Sequence, residues 1–173
     1  EGLTVSQAVT LDAATEQIIS GDAGLSLNGG ISVDAGTLSS SGGTLSLPGG
    51  ATLVSGASFS TSNTTINLGG SLDVADTWVS TNTSLSLTAN AELSSTAAAG
   101  LATLETNGYD FKLASDTTEL TLANVFTLAT GTLSTQGADL IFAGSADISS
   151  GATLDATVLT GAGGKLEFQQ GGT

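Results

Sequence analysis

The stretch Gly43-Thr44-Leu45-Ser46-Leu47-Pro48-Gly49-Gly50-Ala51-Thr52-Leu53 decides how this chain is read. Leu45 and Leu47 flank a serine, a proline and two glycines follow, and a second apolar run opens at Ala51. Strict alternation has period two, which turns one side of a short strand inward and the other to solvent. The glycine pair supplies the backbone freedom that a sharp corner needs.

The same unit recurs on either side. Leu25/Leu27 precede Asn28-Gly29-Gly30, Ile66/Leu68 precede Gly69-Gly70, and Leu85/Leu87 precede Thr88-Ala89-Asn90; with Leu45/Leu47 these dyads stand 20, 21 and 19 residues apart. Farther on, Leu120/Leu122 and Leu140/Phe142 are again 20 apart, and second dyads follow the turns at Ile31/Val33 and Leu72/Val74. Strands this short cannot stand alone. Turns of about 20 residues stacked at about 4.8 Å, however, bury a continuous column of Leu, Ile and Val. The expected fold is all-β, a parallel β-solenoid (β-helix) forming a single domain over residues 1–173. Roughly eight such turns fit, in a column on the order of 40 Å tall. An antiparallel sandwich also has short strands and glycine turns, but its strands are longer and do not recur near every twenty residues.

Two regions break the register. Leu87 and Leu120 are 33 residues apart, so an irregular turn or excursion is expected over 88–119. Residues 1–24 form an atypical N-terminal end or cap, in which Asp12 to Ile19 suits a helical turn as well as a strand. Lys165-Leu166-Glu167-Phe168 alternates cleanly and reads as one more strand rather than a cap.

Composition narrows the chemistry. Thr, Gly, Leu, Ser and Ala fill 121 of 173 positions, and the chain has no His, Cys, Met or Arg. Two lysines against 16 acidic residues give a net charge of -14, which excludes nucleic-acid binding and a basic membrane-surface helix. Catalytic triads, thiol nucleophiles and the usual zinc sites are excluded with them. No apolar run approaches the roughly 18 residues of a membrane span, so no membrane insertion is expected. Glu1 opens the chain without a basic-then-apolar leader, which fits a mature secreted product or an excerpt of a longer chain. Leu, Ile, Val and Phe together make up 43 of 173 residues, enough to fold.

At Gly43 to Leu53, and again at Gly69-Gly70-Ser71-Leu72-Asp73-Val74 and Gly137-Ala138-Asp139-Leu140-Ile141-Phe142-Ala143-Gly144, the chain resembles the β-helical repeats of secreted bacterial autotransporter passengers and filamentous-haemagglutinin-type adhesins. That resemblance implies an extracellular or cell-surface bacterial protein serving adhesion, aggregation or fibre formation. It brings no catalytic positions with it.

Carboxylates and hydroxyls remain as candidate functional groups. Some β-helical proteins cleave polysaccharides with acidic pairs about 5 to 10 Å apart. Here the acids are spread singly, mostly beside turns, so no enzyme is expected. The glycine-rich calcium motif lacks its third glycine at both Gly29-Gly30 and Gly69-Gly70. Calcium remains a candidate cofactor only at Asp110, Asp116 and Glu119, whose hard oxygen donors suit it. Trp78, Tyr109 and the phenylalanines suit packing better than a sugar platform. The outward threonines do not recur at one place per unit, as an ice-binding array requires. Asn63-Thr64-Thr65 and Asn82-Thr83-Ser84 match a glycosylation sequon that such a chain produces by chance.

A solenoid ends in unpaired strand edges, which template pairing with another chain. Leu3, Val5, Val9 and Leu11 at one end and Leu166 and Phe168 at the other are therefore the expected self-assembly residues. Head-to-tail contacts that do not close give a filament. The expected partner is the chain itself. The alternative is a monomeric stalk or adhesin module that binds a surface glycan or host surface.

Overall fold

The structure, a computed structural model, describes residues 2–76, 78–96, 99–124, 126–155 and, by backbone alone, 166–168. It is a β-solenoid without a helix among the described residues, its parallel strands stacked in about 7 turns of roughly 21 residues.

Each turn gives one strand to each of three faces. The first face is an eight-stranded sheet running from Leu3–Val5 through Leu25–Leu27, Thr44–Leu47 and Thr65–Leu68 to Ala146–Ile148. The second, also eight-stranded, runs from Val9–Leu11 to Thr153–Asp155. The third consists of two four-stranded sheets, one from Gln17–Ser20 to Trp78–Thr81 and the other from Ala99–Leu101 to Leu166–Phe168.

Register follows the apolar dyads. Leu25 pairs with Leu45, Leu45 with Ile66 and Ile66 with Leu85, and on the second face Ile31, Ala51, Leu72, Leu93 and Leu113 follow one another. These residues are all buried, most of them completely. Each leucine removed from water contributes about 2 kcal/mol, which strands of three to six residues cannot obtain without neighbours. The aromatics fill the interior as expected: Phe59 stacks on Trp78 with ring centroids 5.2 Å apart, and Phe126 on Phe142 at 5.4 Å. Tyr109 is exposed.

Corners are made in two ways. Between the first and second faces Gly50 has φ +80°, and a Cβ there would run into the Ser71 carbonyl oxygen of the next layer. Between the third and first faces, Gly42 and Gly43 occupy the left-handed region in one layer, and Asn63 and Asn82 do so in those that follow. The Asn82 amide donates to Asn63 Oδ1 at 2.8 Å, so asparagine both tolerates the conformation and links adjacent layers. Beneath that corner, buried hydroxyls satisfy one another. Trp78 Nε1 donates to Thr61 Oγ1 at 2.9 Å, Thr61 and Thr83 share a 2.8 Å hydrogen bond, and Thr64 donates to the Ser40 carbonyl at 3.1 Å.

The expected excursion over 88–119 is corrected by the ladder. Ser84–Leu87 pairs with Thr103–Glu105, and Ala91–Ser95 pairs with Phe111–Leu113, so these strands stay in the column. The 33-residue gap compares different faces: the successor of Leu85 is Leu104, whereas Leu120 belongs to the third face and pairs with Ala99. What is interrupted here is the third face, whose two sheets meet between Trp78–Thr81 and Ala99–Leu101.

Residues 3–20 form a full first layer in register with the second: Leu3 on Leu25, Val9 on Ile31 and Ile18 on Leu38. Asp12 to Glu16 is a tight turn, not a helical one. Glu16 Oε2 accepts from the backbone N–H groups of Asp12 at 2.7 Å and Ala13 at 3.2 Å, and Glu16 N donates to Ala13 O at 2.9 Å. A side chain closes this turn, which explains why the segment lacks both apolar alternation and helical period.

Candidate functional site

The self-assembly residues lie at opposite ends of the column. Leu3, Val5, Val9 and Leu11 share the first layer, while Leu166 and Phe168 lie on the strand that pairs with Asp139–Phe142 at the far end of the third face. Leu3 has the inward register of Leu25, which is buried, yet Leu3 is 65% exposed because no described layer covers it. Val5, Val9 and Ile18 are half-buried against the core from one side. Along this end the three strands of the first layer are each paired on one edge only among the described residues. Ile19, directed outward on the third face, is 69% exposed and enlarges the apolar rim.

Sequence reasoning missed Ile18, Ala146, Ile148 and Leu154 as end-layer residues. Ile18 takes its place from pairing with Leu38, and Ile148 from pairing with Leu128. The available signal was the 20-residue step from each to its partner.

The three candidate calcium ligands are held by separate neighbours. Asp110 Oδ1 accepts from Thr132 N at 2.9 Å, and Asp116 Oδ2 accepts from Ser94 Oγ at 2.8 Å. Glu119 Oε1 accepts from Thr121 Oγ1 at 3.1 Å. Among the described residues no group of three or more acidic side chains converges on a point where a metal ion would sit. Ser94 also lies 3.1 Å from Asp73 Oδ1, so one hydroxyl stands between carboxylates two layers apart.

Other surface features are shallow. A hollow of about 340 Å³ is lined by Glu105, Asn107, Thr127 and Thr130, with Glu105 its one carboxylate. A second, of about 330 Å³, is lined by Asn90, Glu92, Asp110 and Lys112. Lys112 Nζ is 3.0 Å from Glu92 Oε2 in an exposed ion pair, worth less than about 1 kcal/mol. No helix of the described residues is long and apolar enough to cross a membrane.

Fold and end geometry together define the class: a three-faced parallel β-solenoid with an apolar, one-sided first layer. Comparison with protein-family models, with curated proteins and with solved structures finds no match.

Proposed function

We propose that this chain is a non-catalytic extracellular structural protein of bacterial type, whose solenoid columns join head to tail into a filament or surface assembly. The supporting observation is the first layer. Leu3, Val5, Val9 and Ile18 occupy interior positions with a neighbour on one side only, above strand edges whose N–H and C=O groups are free to pair. A second copy, presenting its far-end layer with Leu166 and Phe168, offers the same strand spacing and parallel direction. The contact is heterologous, so it propagates without closing.

A second reading is a stalk or adhesin module that binds a glycan along one face. The hollow bearing Asn90, Glu92, Asp110 and Lys112 favours it, because amide, carboxylate and ammonium groups are the usual partners of sugar hydroxyls.

Electron microscopy and sedimentation of the intact chain and of a Leu3→Asp, Val9→Asp double variant separate these readings. The intact chain is expected to give fibres one column wide, and the variant single columns with unchanged β-sheet circular dichroism. Fibres that persist in the folded variant would overturn docking through the first layer. Single columns from both proteins would favour the stalk reading, for which a glycan array is the next measurement. Millimolar calcium in parallel samples tests whether Asp110, Asp116 and Glu119 take an ion.

A further inference from the structure

Asparagine precedes glycine at two places, Asn28-Gly29 and Asn107-Gly108. Both pairs are exposed and turn the same corner between the first and second faces, five layers of the first-face sheet apart counting both ends. Their surroundings differ in the groups that decide whether such a pair rearranges.

At Asn28 the side-chain carbonyl oxygen accepts a 2.6 Å hydrogen bond from Ser26 Oγ, which draws electron density from Cγ and stabilises negative charge developing on that oxygen. No described partner holds Asn28 Nδ2, and the Gly29 N–H donates to none. Asn28 is also outside the left-handed region. At Asn107 the same nitrogen is tied down twice, donating to Ser86 Oγ and to the Leu87 carbonyl, each at 2.9 Å. Asn107 itself sits at φ +51°. Gly29 cannot readily be exchanged to remove the pair, because a Cβ there would run into the backbone of Gln7 and Ala8.

We infer that Asn28 is a site of spontaneous deamidation and isoaspartate formation in the folded column, and that Asn107 is protected by its hydrogen bonds. The Gly29 backbone nitrogen, losing its proton to solvent base, attacks Cγ of Asn28. The Cγ–Nδ2 bond breaks, Nδ2 leaves as ammonia with a proton from solvent, and a succinimide ring remains. Water then opens the ring at either carbonyl, giving aspartate or isoaspartate. No oxidation or reduction occurs, and the net change is water in and ammonia out. The isoaspartate product lengthens the backbone by one carbon at the corner where Asn28 N donates to Val5 O at 2.8 Å, loosening the hold on the first layer.

The test is peptide mapping by mass spectrometry of the intact protein aged in mildly alkaline buffer, with isoaspartate resolved chromatographically. The Asn28 peptide is expected to convert on the order of tenfold faster than the Asn107 peptide, because two hydrogen bonds must be released at Asn107. In denaturant the two should convert at comparable rates, and Ser26→Ala should slow Asn28 in the folded protein several-fold. Equal rates in the folded protein, or faster loss at Asn107, would overturn the inference. A difference that persists in denaturant would also overturn it, by tracing the effect to local sequence. An Asn28 rate unchanged by Ser26→Ala would remove the hydroxyl from the mechanism.

Discussion

Thr135 is fully buried, and its hydroxyl has no hydrogen-bond partner among the described residues, although its backbone N–H donates to Asp155 O at 3.1 Å. Burying a hydroxyl without a partner is unfavourable, and valine has nearly the same shape. Thr135→Val should therefore stabilise the column by about 1 kcal/mol in a denaturant titration. Thr61, equally buried but bonded to Trp78 and Thr83, would not respond in that direction. Glycines separate in the same residue-by-residue way. Gly36 and Gly56 have nearly equal φ, +94° and +95°, but a Cβ on Gly36 would meet the Glu16 carbonyl oxygen while one on Gly56 would meet open space. Alanine at Gly56 should cost about 1–2 kcal/mol for the left-handed backbone alone, and at Gly36 clearly more. Equal melting temperatures for the two variants would show that the Glu16 turn yields freely. The sequence alone does not distinguish these glycines, since the difference lies in an atom 20 positions away.

At the scale of the strand, alternation was readable wherever both inward positions are apolar, as at Leu25/Leu27, Leu45/Leu47, Ile66/Leu68 and Leu85/Leu87. It faded at Thr103-Leu104-Glu105, where Leu104 is the one apolar inward residue, and the next visible dyad belonged to another face. That is why a regular stretch of ladder read as an excursion. The third face shows how strands depend on their neighbours. Phe126 and Phe142 stack at 5.4 Å although they belong to the first and third faces, so this pair fastens one sheet to another across the interior. Phe126→Ala should destabilise by about 3–5 kcal/mol and lower the urea midpoint. A loss below about 1 kcal/mol would mean that the column collapses around the gap. Of the candidate end residues, those on first-face and second-face dyads were legible, whereas Ile18 was hidden because its neighbour Ile19 faces solvent and breaks the alternation.

For the whole molecule, charge opposes association. A net charge of -14 on 173 residues makes two columns repel each other, while the proposed end contact is apolar. Raising ionic strength from about 0.01 M to about 0.15 M shortens the screening length from about 30 Å to about 8 Å. The sedimentation-average mass of the intact chain should rise with that change and fall again on return to low salt. A mass that decreases with salt would place ion pairs, not Leu3 and its neighbours, at the contact. The sequence by itself determined the repeat length, the inward set of leucines and valines and the glycine corners. Each of these follows from a local rule: period two for strands, left-handed freedom for glycine, and an excess of carboxylates read directly as charge. Only the tertiary structure decided that the column has three faces, that Leu104 succeeds Leu85, that Asn63 and Asn82 take over from a glycine pair, and which end residues remain uncovered. Those outcomes depend on which residue of one turn settles over which residue of the next, and that register is fixed by packing between segments about 20 residues apart.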